Sequence, residues 1–298
     1  MKEVTQKDKI SSLTLKAPAK INLFLKVLNR RPDGFHEIES QMLKIELFDV
    51  LHLSRQVSAI SLSCPGTTLP EDQGNLVYRA AQAFFSATGI KAGIKIILEK
   101  NIPLAAGLGG GSSDAAAVVI GLNTLFNTDL SRERLIEIAR PLGADVPFFM
   151  QGCSAAVATG IGDIIQQVEP MKGFSIVLVN PGFEVSTKWV YENFPLTSNS
   201  NPYILARGQK VTRNFHGADL GSYEGIGNDL EVVTISRYPE IEDIKKELKK
   251  TGAVTSLMSG SGPTVFGLFL SEEDARRSFI QLSRKFPGNV FLAGPYIS

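Results

Sequence analysis

Apolar and polar positions change period several times along this 298-residue chain. Near the N-terminus they alternate, and residues 13–15 and 21–28 predict two strands, followed by a turn at Arg31-Pro32-Asp33-Gly34. Strand-like runs return at 42–53 and 60–62, and a looser Pro/Gly stretch covers 64–74. The period then lengthens, so that residues 76–88 predict a helix closed by Gly89. A strand at 93–98 leads through a glycine-rich loop into the apolar stretch DAAAVVIGLNTLF, read as a helix. A second helix is predicted over 131–140, with Ser131 as its N-cap.

The texture changes around 168–174, where a Glu-Pro-Met-Lys-Gly connection precedes a strand at 175–179. This divides the chain into expected domains at 1–170 and 171–298. Residues 196–208, rich in Ser, Asn and Pro, predict an exposed loop. Beyond it come an amphipathic helix at 239–250 ending at Gly252, a strand–turn–strand around 259–270, a helix at 272–285 and a strand at 290–293. The class is α+β: a β-rich first half, then strands interleaved with helices in a pattern compatible with a ferredoxin-like sandwich.

Composition narrows the function classes. Thirty-one basic and 30 acidic residues leave a net charge of +1, so there is no global basic field for nucleic acid. The two cysteines, Cys64 and Cys153, form no metal-type pair and suit a reducing cytoplasmic setting. No apolar run reaches the roughly 18 residues of a membrane span, and the opening MKEVTQKDKISS lacks a signal-peptide core. The expectation is a cytoplasmic protein with a small-molecule substrate, no nucleic acid and no membrane partner. Its oligomeric state is left between monomer and weak homodimer.

The candidate chemistry starts at Pro103-Leu104-Ala105-Ala106-Gly107-Leu108-Gly109-Gly110-Gly111-Ser112-Ser113. Glycines let backbone N–H groups approach an anion closely, and the serines fall where a helix would begin, with its free N–H groups and positive dipole end. No lysine follows, as a P-loop requires, and serine stands where a dinucleotide fingerprint needs its third glycine. The loop reads as an anion cradle, the alternative being a hinge. Lys20 and Asn22, two apart on a strand, share a face, and Lys20 is either a phosphoryl-stabilising cation or a snorkelling lysine. Asp145, in LGADVPFF before a Val-Pro expected to forbid helix continuation, is either a general base or a cap or turn residue. The block LMSGSGPTVF offers another small glycine–serine turn, for phosphate or simply for a hairpin.

These blocks in this order resemble the GHMP kinase superfamily across the whole chain. The segments APAKINLFLKVLNRRPDGFHEIES, NIPLAAGLGGGSSDAA, LGADVPFFMQG and MSGSGPTVF are most similar to its branch acting on 4-diphosphocytidyl-2-C-methyl-D-erythritol, in non-mevalonate isoprenoid synthesis. The R-x-D-G-[YF]-H segment is the discriminating one. The resemblance implies an N-terminal α/β domain with a left-handed βαβ unit and a ferredoxin-like C-terminal domain. It implies ATP on the glycine loop, with Asn75, Leu76 and Lys100 also on the nucleotide side, and Mg2+ entering with ATP. Asp145 is implied as the base that accepts the proton of the position-2 hydroxyl, and Lys20 as the residue that orients it and offsets developing charge. Asn22 is expected at the substrate, and Phe35 and His36 at the cytosine. Phenylalanine keeps the stacking face that many members supply with tyrosine. A second aromatic wall is expected from Tyr191, with Trp189 or Phe183 as alternatives. No acidic metal cluster is evident, so Mg2+ is expected on phosphates, water and Ser113, with Asp114 either a helper or a first-turn helix acid.

Overall fold

The computed structural model describes residues 11–195 and 226–297; the loop expected at 196–208 lies outside them. The two strands expected at the start are one, β1 (Ser12–Arg30). The alternation breaks because most of the strand from Ala17 to Leu25 is buried on both faces, so lost periodicity there does not mark an end. The turn at Arg31 forms as expected, Gly34 N donating to Arg31 O at 3.0 Å, and β2 (His36–Gln56) returns beside β1. Both long strands contribute to each of two compact units.

The first unit takes the chain before Pro18, Phe48–Asn101 and Gly110–Gln151. Here β3 (Ile60–Ser63), α1 (Leu76–Thr88) and β4 (Gly93–Glu99) form a βαβ unit, with β3 parallel to β4 and β4 antiparallel to β2. The first helix has the predicted bounds, capped by the Asn75 side chain at one end and by Gly89, at φ 68°, at the other. It packs on α2 (Gly110–Phe126), which buries Ala115, Ala116, Val118, Val119, Leu122 and Leu125. Helix α3 (Arg132–Ala139) carries the predicted Ser131 cap. The Val-Pro after Asp145 opens a helix rather than preventing one: α4 (Val146–Met150) holds Pro147 in its first turn, where a missing N–H costs nothing.

The second unit takes Pro18–Leu47, Ile102–Gly109 and the chain from Gly152. An unpredicted hairpin, β5 (Ala155–Thr159) with β6 (Ile164–Val168), pairs with β2. Its alanines lack the β-branched signature of a strand, which is why the pattern hides it. Then follow β7 (Ser175–Val179), α5 (Thr187–Glu192), β8 (Gly227–Asn228), α6 (Glu231–Arg237), α7 (Glu240–Lys250), β9 (Thr255–Met258), β10 (Val265–Phe269), α8 (Glu272–Lys285) and β11 (Val290–Ala293). The antiparallel sheet order β11-β7-β10-β9 is that of a ferredoxin-like sandwich. Val177 and Val179 face a core with Ile241, Leu248 and Leu282. Ile176 and Leu178 face the other way, against Ile21, Leu43, Ala106 and Leu108. That second core anchors the start of the glycine loop.

Candidate active site

In the second unit, the first block, the start of the glycine loop and the Ser259 turn come together. Lys20 is only 4% exposed; its backbone N–H donates to Leu108 O at 2.9 Å, and its Nζ donates to Asn22 Oδ1 at 2.7 Å. Asn22, also buried, donates through Nδ2 to Ser40 Oγ at 2.7 Å. The face shared by positions 20 and 22 is therefore the polar one, as their spacing predicted. Ser259 Oγ donates to Gly107 O at 3.0 Å. Gly107 lies at φ +74°, and a Cβ there would meet Ser259 O at 2.1 Å, so this contact admits no side chain. Gly260 lies on the other side at φ +56°, where a Cβ would sit 3.2 Å from Gly107 O and 3.4 Å from Asn22 Oδ1. Asn228, absent from the sequence reading, donates to Met258 O at 2.8 Å and to Gly260 O at 2.7 Å, pinning the turn from behind. Nothing local marks it, because its acceptors lie some thirty positions on.

The same unit gathers an aromatic group at the start of β2. His36 is buried, with its ring centroid 5.3 Å from Tyr191 and 6.4 Å from Phe194. Burial, helped by the charge of Arg30, lowers its pKa below the usual histidine value, so the ring is neutral at pH 7. Phe35 stays 59% exposed beside it, its face open for stacking. Of the three aromatics considered for a second wall, Tyr191 is the one beside His36. Phe183 stacks on Tyr238 at 4.7 Å, and Trp189 packs against Tyr238 and beneath Arg237. Phe194 joins the group unpredicted.

In the first unit, α2 starts at Gly110, two residues earlier than the serines suggested. Gly110, Gly111, Ser112 and Ser113 thus form its first turn, and the N–H groups of the first three have no acceptor one turn back. Ser113 is buried, and its Oγ has no hydrogen-bond partner among the described residues. Asp114 is neither exposed nor a first-turn acid. It lies buried with its Oδ2 2.8 Å from Lys100 Nζ, which also pairs with Asp49. Burial is the largest influence on Asp114 and raises its pKa to about 7; Lys100 opposes the shift and Asp49 adds to it. For Lys100, burial pulls downward, but Asp114 and Asp49 outweigh it and the ammonium titrates above its usual range. Two of the three donors of that ammonium are thus spent on carboxylates. Asn75 is likewise engaged: its Oδ1 caps α1 by accepting from Val77 N at 2.9 Å, and its Nδ2 donates to Pro70 O at 2.9 Å. Leu76 opens that helix. Asp145 occupies the N-cap position of α4 at φ −78° and ψ −16°, without making the side-chain capping bond. No group of three or more His, Cys, Asp or Glu able to hold a metal occurs among the described residues, and no helix among them is long and apolar enough to cross a membrane.

Comparison with known proteins places these features. The profile of the GHMP kinases N-terminal domain matches residues 75–153, and that of the GHMP kinases C-terminal region matches 213–288. The chain is 47% identical to a 4-diphosphocytidyl-2-C-methyl-D-erythritol kinase of Geobacter metallireducens, over 90% of this chain and 92% of that one. It is 48% identical to the enzyme of that name from Syntrophotalea carbinolica, over 94% and 97% of the two chains. A crystal structure of a 4-(cytidine 5'-diphospho)-2C-methyl-D-erythritol kinase superposes with a TM-score of 0.79 at 34% identity, covering 95% of this chain and all of that one. A homoserine kinase from Cytophaga hutchinsonii, at 21% identity and a TM-score of 0.65 over 96% of this chain and 95% of its own, shares the fold.

Proposed function

This chain belongs to the 4-diphosphocytidyl-2-C-methyl-D-erythritol kinase family of the GHMP kinases, and we propose that it transfers the γ-phosphoryl group of ATP to the position-2 hydroxyl of 4-diphosphocytidyl-2-C-methyl-D-erythritol. The observation that carries the reading is the buried Lys20, tied by its backbone to the glycine loop and aimed through its ammonium by Asn22.

Asp145 accepts the hydroxyl proton as that oxygen attacks the γ-phosphorus; the new O–P bond forms while the bond to the leaving ADP breaks. Lys20 offsets the charge that grows on the transferring group. The work is mainly positioning and charge stabilisation, which is why a buried and oriented ammonium suits it. The free N–H groups of Gly110, Gly111 and Ser112 at the start of α2 bind phosphate oxygens. Magnesium, entering with ATP, would supply charge neutralisation for the phosphates. Ser113 would hold it, together with phosphate and water oxygens: a buried hydroxyl with no partner among the described residues suits that task. On the substrate side, Phe35 and Tyr191 flank the cytosine while neutral His36 hydrogen-bonds its edge, supported by the grouping of these rings at the start of β2. Asn22 retains one amide hydrogen and one lone pair beyond those used by Ser40 and Lys20, enough for a substrate contact.

Family matches fall on either side of the proposed domain division at 1–170 and 171–298, whereas the compact units interleave along the chain, Pro18–Leu47 and Ile102–Gly109 grouping with residues from Gly152 onward. The cytoplasmic setting is supported by two buried free thiols, Cys64 and Cys153. The test offers purified protein ATP, magnesium and the cytidyl substrate, beside mevalonate, homoserine and galactose, with 31P NMR of the products. Phosphorylation of the cytidyl compound at its position-2 oxygen is expected; phosphorylation of mevalonate or homoserine instead would overturn the assignment.

A further inference from the structure

The block that carries Lys20 is otherwise apolar, with Ala17, Ala19 and Ile21 fully buried around it. Two neutral polar side chains are sunk in the same region, Asn22 at 3% exposure and Ser40 at 1%. Buried polar groups are tolerated when they are hydrogen-bonded, and these are. Ser40 Oγ donates to Phe24 O at 2.6 Å, Asn22 Nδ2 donates to Ser40 Oγ at 2.7 Å, and Lys20 Nζ donates to Asn22 Oδ1 at 2.7 Å.

The direction of this chain of bonds is forced. A main-chain carbonyl can only accept, so Ser40 spends its single hydroxyl proton on Phe24. What Ser40 then turns toward Asn22 is a lone pair, and only the NH2 end of the amide can meet it. The carbonyl end of Asn22 is thereby aimed at Lys20. A flipped Asn22 would set oxygen against oxygen at Ser40 and NH2 against ammonium at Lys20. The fixed acceptor at Phe24 thus sets, through Ser40, which end of the Asn22 amide meets the Lys20 ammonium.

We propose that Ser40 is a positioning residue for phosphoryl transfer, setting the orientation of Asn22 and through it the ammonium of Lys20; this rests on the role given to Lys20 above. Ser40→Ala removes the lone pair that selects the amide orientation. It lowers kcat by about a hundred-fold, the scale of a small misplacement of a catalytic group, with KM for ATP unchanged. Ser40→Thr keeps the hydroxyl and restores turnover. In an Asn22→Ala background, Ser40→Ala has no further effect, because the path it acts through is already gone.

Three results would overturn the relay: unchanged kcat in Ser40→Ala, an equal additional loss in the Asn22→Ala background, or a folded Ser40→Thr protein as slow as Ser40→Ala. A measurement on the unaltered protein needs no turnover at all. In 15N-resolved NMR, one side-chain amide proton of Asn22 should be shifted and protected from exchange, and exchange of both at solvent rates would also sink the relay. A protected Asn22 amide in a protein that phosphorylates no offered alcohol would leave the relay standing and remove the kinase reading instead.

Discussion

Lys20 and Lys100 are both buried, but they are held by different chemistry. Lys100 lies between two carboxylates, Asp49 and Asp114, inside the first unit. Lys20, in the second, donates to a neutral amide whose orientation is set by a hydroxyl and a carbonyl. Two carboxylates lock the Lys100 ammonium into the structure, whereas the Asn22 amide oxygen aims the ammonium of Lys20. The first arrangement suits stability and the second suits chemistry, where a positive charge must act on a developing negative one.

Exchanging each lysine for methionine breaks the comparison most directly. Lys20→Met should cost about a thousand-fold in kcat, within the range seen for loss of one electrostatic stabiliser, while its melting temperature stays near that of the parent. Asp145→Asn should cost a similar factor, about a thousand-fold, as expected for a general base, and should leave substrate affinity by calorimetry intact. Full turnover in either variant would remove that residue from its assigned role.

Lys100→Met should act on stability instead. It strands two buried carboxylates, a change worth about 3–5 kcal/mol, to be read from denaturant unfolding. A fully stable Lys100→Met with lost turnover would reverse the comparison.

Asp114 sharpens it through pH. Its folded pKa, raised to about 7, lies above the ordinary 3.8, so the folded state binds a proton more tightly than the unfolded one. Stability is therefore lost as pH rises from about 4 toward about 7, and the deficit is complete above that. Asp114→Asn should flatten this part of the curve measured by urea unfolding across the range; an unchanged slope would show that Asp114 is not its source. Smallest is the cap: Asn75→Ala should cost about 1 kcal/mol of unfolding free energy through α1.

Several elements were legible because their signals are local. Helix α1 keeps its predicted bounds since an amphipathic run ends at a glycine free to take positive φ, and α8 and β11 are equally self-contained. The joined β1, the alanine-rich β5 and the Val-Pro start of α4 were misread or missed, because burial on both faces and neighbouring strands override local pattern. At the candidate site, the motif residues carried their own resemblance, and the spacing of Lys20 and Asn22 gave their shared face. Ser40, Asn228 and Phe194 carried no signal, since each matters only through partners distant in sequence.

By itself, the sequence determined the family, the α+β class, the glycine loop and its helix, and the identities of the lysine and aspartate proposed for catalysis. All of these are written in short runs, where composition and spacing act within a turn or a strand. Only the tertiary structure decided how the polar groups are spent: Asp114 on Lys100, Asn75 on the start of α1, Asn22 between Ser40 and Lys20, and Tyr191 on His36. Those pairings follow from desolvation, which makes an unpaired buried polar atom costly, and the fold alone chooses which atoms are buried together.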